Sequence, residues 1–411
     1  MPRLLIIGYV WPEPASSAAG SRMMQLINYF LKEEYEIVFG TTARETSNMA
    51  DLGDLGVSIE KLRLNDSSFD VLLKKLDPEI VLFDRFMIEE QFGWRVDNVC
   101  PKALKLLDTE DLHFLREIRQ KAYREDKPEK DYYFNSDLAK REIASIYRCD
   151  LSLIISEAEM ELLKTTFNVP AEILFYLPFM IQELSKDEMI DIPDYDERKD
   201  FFFIGNFLHE PNWNAVLFLK EKIWPELRKK LPDVKLQIFG AYPSQKVKNL
   251  NNKNERFIVN GWAENSADVM KNARICLAPI QFGAGLKGKL VEAMQNGVPS
   301  ITTSVGAEGI KADMDWNGYV CDEINEFIGK AVSLYTNSSM WKEKQNFGFQ
   351  ILKERFNKKH HELRFKNRLG EIIKDLDIHR QQNFTGSMMK FHLMKSSYYL
   401  SRFIEEKNRN K

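Results

Sequence analysis

The sequence predicts an α/β protein made of two doubly wound lobes, each a parallel sheet covered by helices on both faces. Three observations carry this. The chain has 411 residues, more than one hydrophobic core usually organises. Short apolar runs alternate with helical patterns, and the alternation runs through twice. Between the two runs lies Asp191–Asp200 (DIPDYDERKD), polar and with a proline, which reads as the interdomain linker.

In the first half the expected strands are Leu4–Val10, Glu36–Thr41, Val57–Leu62, Glu79–Asp84, Ala103–Asp108, Leu151–Ser156 and Glu172–Leu177. Ser21–Lys32, Ser67–Leu76, Glu89–Val99, Asn135–Tyr147 and Glu157–Phe167 carry helical patterns between and around them. After the linker the pattern restarts. Strands are expected at Phe201–Gly205, Val234–Gly240, Arg256–Val259 and Arg274–Pro279, with helices at Trp213–Leu231 and Ala267–Asn272. Beyond residue 336 the chain reads as helical, with Met340–Arg355 and Lys358–Asp377 as candidates. The expected division is 1–190, 200–370 and a helical tail, 371–411.

Hydrophobic residues at 44% and aromatics at 12% suffice for full cores. A net charge of −3 argues against wholesale nucleic-acid binding. Cys100, Cys149, Cys276 and Cys321 are far apart, with no C-x-x-C or Cys/His spacing for zinc. Cys276 lies in an expected strand and reads as core. Met1–Val10 is too short for a signal peptide and reads as a first strand. No apolar run approaches the roughly 18 residues of a membrane span. The expectation is a reduced, cytoplasmic protein.

The most informative segment is 283–309. Gly283-Ala284-Gly285-Leu286-Lys287-Gly288-Lys289 follows an expected strand, then comes the helical run Leu290–Met294, a stop at Gly297, and a strand opened by Pro299. A loop so placed aims N–H groups and a helix N-terminus at phosphate. Three motif readings compete. Gly283…Gly288-Lys289 fits a P-loop, but Leu290 stands where a magnesium-holding Ser or Thr belongs. Gly283-x-Gly285-x-x-Gly288 fits a dinucleotide fingerprint with Glu308 as the ribose acid, but the loop comes after two earlier strands of its half, not after the first. The third reading uses every residue. Lys287 and Lys289 stand where the helix dipole disfavours cations by about 0.3–1 kcal/mol each, which makes sense around an anion. Glu292, one turn on, can reach a ribose hydroxyl. The bland alternative is a tight turn with a surface Lys289–Glu292 ion pair.

The run GAGLKGKLVEAMQNGVPSITT resembles the donor site of retaining GT-B glycosyltransferases of family 4. The resemblance is strong from about 200 to 336. It implies two Rossmann-like domains facing a central cleft, with a helical C-terminal extension. It implies transfer of a sugar from a nucleoside diphosphate sugar, UDP- or GDP-linked, to a hydroxyl acceptor, with retention, without metal or other cofactor, in glycan biosynthesis. Saccharide, lipid-linked sugar, protein and modified nucleic acid all remain open as acceptors. Lys287, Lys289 and the N–H groups of Gly283, Gly285 and Leu286 would hold the diphosphate, and Glu292 the ribose. Gly205, Asn206 and His209, after the second half's first strand, match the place where the family faces the donor phosphates; Asn212 beside them reads equally as a helix N-cap. Ala284 departs from the pattern. Many members carry a sugar-contacting Glu there, so that contact is lost or moved. Rival readings are a non-catalytic nucleotide-sugar-binding scaffold and a sugar-nucleotide epimerase of the same fold.

In the first half, Gly20 begins a helix after the long loop Trp11–Ala19, which in this fold lies across the cleft from the donor. Asp108-Thr109-Glu110-Asp111-Leu112-His113 follows a strand, and Asp111 and His113 are the candidates for positioning sugar or acceptor, with Asp84-Arg85 a weaker pair. Trp262 could stack on a base but reads as core. Asp313-Met314-Asp315 and Asp375-Leu376-Asp377 mimic a metal-binding D-x-D, yet neither follows a suitable strand. The segment Ser387–Lys411 carries basic residues among Phe391, Met394, Tyr398 and Phe403. It reads as an amphipathic helix, either docked on the protein or making peripheral contact with the inner membrane face or an anionic acceptor.

Overall fold

The computed structural model describes residues 1–409. The first lobe holds seven strands: β1 (Arg3–Gly8), β2 (Glu36–Thr41), β3 (Ser58–Lys61), β4 (Ile80–Asp84), β5 (Leu104–Asp108), β6 (Leu151–Ile154) and β7 (Leu174–Tyr176). The second holds six: β8 (Lys199–Ile204), β9 (Leu236–Phe239), β10 (Phe257–Gly261), β11 (Ala273–Ala278), β12 (Ser300–Thr302) and β13 (Gly318–Val320). The sheet orders are β3-β2-β1-β4-β5-β6-β7 and β10-β9-β8-β11-β12-β13, with every pairing parallel. Both sheets are doubly wound, as expected for GT-B.

The near-continuous apolar strands follow from burial on both faces. Leu5, Ile7, Val81, Phe83 and Leu107 fill one side of the first sheet, while Leu4, Ile6, Ile80, Leu82 and Leu106 fill the other. In a strand buried on both faces the period of two favours an apolar residue at successive positions, as in β1 and β4. Strand order reverses between β1 and β4 in the first lobe and between β8 and β11 in the second. In such sheets the crevice for ligand opens beyond the strand ends at that point.

Several expectations need correction. Helix Ala18–Lys32 starts three residues before the expected Ser21, capped by Ser17, whose hydroxyl accepts from Gly20 N. The expected helix 213–231 is broken by a π turn, Leu219–Ile223, between Glu210–Phe218 and Trp224–Lys230. Pro225, lacking an N–H, sits where the third segment begins. The linker is firmly held. Arg198 is buried, donating to the carbonyls of Pro193, Met270 and Asn296, and Tyr195 donates to Tyr335 O at 2.6 Å. Those residues pack with the second lobe. The chain crosses back near Ile181, where Ile181 N meets Phe356 O at 2.7 Å and Lys358 N meets Ile181 O at 2.9 Å. Helix Lys358–Lys374, placed by the sequence in the second domain, packs instead on the first, with Phe365 against Tyr29, Phe30 and Phe175.

The tail forms helix Phe384–Arg409 and docks on the first lobe. Tyr398 meets Trp94 edge to face at 5.3 Å, and Glu405 accepts from Ser67 N at 3.0 Å. Asn410, Lys411 and the side chain of Met394 lie outside the described residues. All four cysteines are buried and unbridged.

A buried ion pair ties the first helix to the end of β5. Arg22, on helix Ala18–Lys32, forks onto Asp108 at the end of β5, with Nε–Oδ1 at 2.9 Å and Nη2–Oδ1 at 2.8 Å. Its Nη1 donates to Leu177 O at 2.6 Å. Both side chains are enclosed. Asp108→Ala leaves a buried guanidinium uncompensated and is expected to destabilise the chain by about 3–5 kcal/mol. Urea unfolding checks this; a loss below about 1 kcal/mol would mean water reaches the pair.

Candidate active site between the lobes

The loop after β11 is shaped by contacts from both lobes. Thr302 Oγ1 donates to Ala278 O at 2.7 Å, and Thr303 Oγ1 to Ile280 O at 2.5 Å, fixing the loop's start. Gly285 is left-handed, at φ 63°, and a Cβ there would lie 2.8 Å from Asp111 Cβ across the cleft. Only glycine meets both demands. From the first lobe, Arg119 Nη1 donates to Gly283 O at 2.9 Å while its guanidinium forks onto Glu308 at 2.6 and 2.7 Å. Glu308 is thus an ion-pair partner and not a ribose acid. The loop follows the second lobe's fourth strand in chain order, which does not fit a dinucleotide fingerprint. Leu290, at the P-loop hydroxyl position, is fully buried in the second core.

The two lysines converge on the N-terminus of helix Gly288–Gln295. Lys287 is buried, with Nζ donating to Gly285 O at 3.0 Å. Half-buried Lys289 places Nζ 2.5 Å from Asn212 Oδ1 and 4.1 Å from the centre of the Phe203 ring. Among the described residues no carboxylate pairs with either ammonium within 4.0 Å. Burial depresses the Lys287 ammonium to about 8 and the Lys289 ammonium to about 7. The surface Lys289–Glu292 pair is absent. Glu292 accepts instead from the Ser266 hydroxyl, and burial raises its carboxyl against that hydrogen bond.

Gly205 follows β8 at the point where Asn212 and Lys289 converge. Asn206 folds back, its Oδ1 accepting from Leu208 N at 2.9 Å. His209, not Asn212, holds the N-cap position of helix Glu210–Phe218. Asn212 sits inside the helix and bridges Lys289 to Asn206 O, donating to the latter at 2.8 Å. His209 lies within electrostatic reach of Arg116, Asp111, Arg85 and Lys289. Leu286 is buried in the second core.

On the first-lobe wall, Asp111 binds Arg116 at 2.6 and 2.9 Å, with His113 Nε2 at 3.5 Å. Burial alone would raise the Asp111 carboxyl, but Arg116, His113 and Arg85 bring it below the ordinary value. His113 is pushed by burial down to about 4, so it is neutral. Asp108 serves Arg22 and does not face a ligand. Glu110 has φ 61° and Arg85 has φ 73°, two strained positions at the ends of neighbouring strands. Burial, then Asp108, raises the Glu110 carboxyl well above its ordinary value.

Gly20 needs another account. A Cβ there would collide with the Glu13 backbone at 2.4 Å, so loop packing demands the glycine, and its N–H is taken by Ser17. The first-lobe residue nearest Gly288 is Ala18. Trp262 is not core; it is 44% exposed and donates to Ala15 O at 3.3 Å across the cleft.

Sequence reasoning missed Arg116, Arg119 and Glu159. The two arginines ride on helix His113–Glu125, whose signal was present in the spacing of Phe114, Leu115, Ile118 and Ala122. Glu159 is fully buried, and its Oε1 accepts from Leu112 N at 3.0 Å and Gly285 N at 2.8 Å, so the Gly285 N–H expected to face the diphosphate is held by a carboxylate of the other lobe instead. No local pattern announces that link. Among the described residues, no group of three His, Cys, Asp or Glu is disposed to hold a metal ion.

Residues 198–337 match the family of glycosyl transferases group 1. A Klebsiella pneumoniae relative, an uncharacterized 44.6 kDa protein in the cps region, is 24% identical over 241 residues. That alignment covers 56% of this chain and 59% of the relative. Sucrose-phosphate synthase from Thermosynechococcus elongatus superposes with a TM-score of 0.66 at 13% identity, over 91% of this chain and 100% of that one. HepE from Anabaena, solved with UDP and glucose, gives 0.62 at 12% identity, over 90% and 100%. The lipopolysaccharide outer core galactosyltransferase WaaB gives 0.57 at 15%, over 90% and 99%. At such identities the likeness is one of fold. Fold, loop and family match agree, and the chain contains a glycosyl transferases group 1 domain of the family 4, GT-B type as its second lobe.

Proposed function

We propose that the chain is a retaining glycosyltransferase that moves a hexose from a UDP- or GDP-linked donor to a hydroxyl acceptor. One observation carries this reading: a buried and a half-buried ammonium stand at one helix N-terminus, with no carboxylate among the described residues within 4.0 Å of either. Such an arrangement is unfavourable until an anion joins it. A diphosphate fits between Lys287 and Lys289, with Glu292 one turn further for the ribose. When the bond from the anomeric carbon to the β-phosphate oxygen breaks, these cations and the helix dipole stabilise the departing diphosphate. The acceptor oxygen bonds to the same face of that carbon, and its proton passes to the leaving phosphate. The reading needs no metal, because the lysines and the dipole neutralise the leaving group. His113, neutral and held by Asp111, positions sugar or acceptor hydroxyls. The relatives solved with UDP and glucose, or named for lipopolysaccharide work, support a UDP donor and a saccharide acceptor.

Incubation with UDP- and GDP-sugars and oligosaccharide acceptors, followed by mass spectrometry, tests this. A glycosylated acceptor supports it. An isomerised donor sugar would make the chain an epimerase, and donor binding without product would make it a scaffold.

The tail adds a peripheral membrane contact on the cytoplasmic face. Its outer surface exposes Phe384, Phe391, Tyr399 and Phe403 at 70%, 61%, 68% and 66%. Lys395 stands 4.1 Å over the Phe391 ring, and Arg402 is exposed beside them. Among the described residues no helix is long and apolar enough to cross a membrane. An aromatic row flanked by cations suits an anionic lipid surface. The double variant Phe391→Asp/Phe403→Asp is expected to lower co-sedimentation with phosphatidylglycerol vesicles at least about fivefold. Equal sedimentation of both proteins would remove the tail from this role.

A further inference from the structure

We propose that Glu159 receives a hydroxyl of the donor's sugar and so helps set which hexose the cleft accepts; this rests on the donor-site reading above. Glu159 lies in the first turn of helix Glu157–Thr165, just beyond the end of β6. With Arg119, it is one of the side chains that join the lobes at the donor loop. Its Oε1 takes one backbone N–H from each lobe, Leu112 and Gly285. Its Oε2 is equally buried and has no hydrogen-bond partner. A buried carboxylate oxygen left without a donor is costly, so the position calls for an explanation.

The neighbours narrow what could supply that donor. Lys287 attracts the carboxylate, but its Nζ donates to Gly285 O. Asp111 only repels it. Ala284 has no polar side-chain atom, and Gly285 has no side chain, so the loop itself offers nothing further. A sugar linked to a diphosphate held at Lys287 and Lys289 would bring hydroxyl groups to this side of the loop. Each hydroxyl is a donor free to rotate toward Oε2. Since Glu159 is fully enclosed, the donor enters while the lobes are apart and meets the carboxylate as they close. Burial holds the carboxyl up at about 7, so near neutrality it accepts more strongly as pH rises.

The test compares nucleoside diphosphates with their sugars on the full chain. Kd values for UDP, GDP, UDP-glucose, UDP-galactose and GDP-mannose are measured by calorimetry for wild type and Glu159→Gln. The glutamine keeps the shape and one acceptor oxygen, but its NH2 group cannot accept a hydroxyl. Diphosphate affinity should change less than about twofold, while the preferred nucleotide sugar loses at least about tenfold. A second arm needs no variant: deoxyfluoro donors lacking one hydroxyl should cost the wild type about tenfold at one ring position only, and Glu159→Gln nothing there. Equal sugar-to-diphosphate ratios in both proteins, or no sensitive ring position in the wild type, would overturn the assignment and leave Glu159 a lobe latch. A wild type that binds no diphosphate at all would instead remove the donor site, and this inference with it.

Discussion

Lys289→Ala should lose UDP and GDP binding by at least about a hundredfold while the fold survives. The two halves of that statement have one physical origin. The Lys289 ammonium sits beside Lys287 and at the positive end of a helix dipole, with Asn212 Oδ1 and the Phe203 ring as its protein contacts. Burial has already pushed it down to about 7, which means its charge is unfavourable in the free protein. Deleting it removes a strained group, so the melting temperature in buffer should hold or rise slightly. Deleting it also removes one of the two charges aimed at the diphosphate. In a thermal-shift panel the wild type should gain about 2.7 kcal/mol at a hundredfold excess of ligand over Kd, and the variant nothing measurable. A variant stabilised as much as the wild type would sink the donor site as drawn. A shift with ATP–magnesium or NAD alone would revive the motif readings that Leu290 and the loop's place after β11 argue against.

How much of this was legible in the sequence depends on the range of each interaction. The central strands of the first sheet were readable because a sheet buried on both faces needs unbroken apolar runs such as Ile80–Phe83, and chance rarely makes those; the exposed edge strand β3 was readable from its place in the alternation. β13 was not readable: three residues opened by a glycine carry too little pattern. The donor loop was readable because strand, glycines, lysines and helix stop lie within one short stretch. Its partners were not. Glu159 reaches Gly285 from 126 positions away and Arg119 reaches Glu308 from 189. The Asp108–His113 stretch shows the same limit from the other side. It offered three carboxylates that look alike in sequence, yet Asp108 is consumed by Arg22, Asp111 by Arg116, and Glu110 stays protonation-prone beside Asp108. Their distinct roles come from which cation the fold delivers to each. Trp262 failed for a related reason. An aromatic after a strand is usually core, and only the facing lobe's Ala15 carbonyl explains its exposure.

Diphosphate affinity should fall steeply as pH rises above neutrality, and the direction follows from the two lysines. In the free protein Lys289 loses its proton near 7 and Lys287 near 8. A bound diphosphate favours the charged ammoniums and raises both values, so binding takes up protons wherever the free lysines are neutral. Below about 6 the ligand's terminal phosphate itself loses charge, which sets the acid side of the profile. Affinity should therefore peak between about 6 and 7. From there the logarithm of Kd should climb with a slope approaching one per pH unit, steepening toward two once Lys287 also titrates, until the bound-state values are reached. The free chain should move oppositely. Both lysines bind fewer protons folded than unfolded, where an ordinary lysine titrates near 10.4, so their contribution to stability rises between about 7 and 10. Calorimetric titrations of UDP at pH 6.5 and 8.5, paired with melts of the free protein, read both signs. In Lys289→Arg, charged at every pH used, any residual binding should have lost the first of the two slopes. A wild-type profile flat from 6.5 to 8.5 would mean that neither lysine changes protonation on binding, and that the anion sits elsewhere in the cleft.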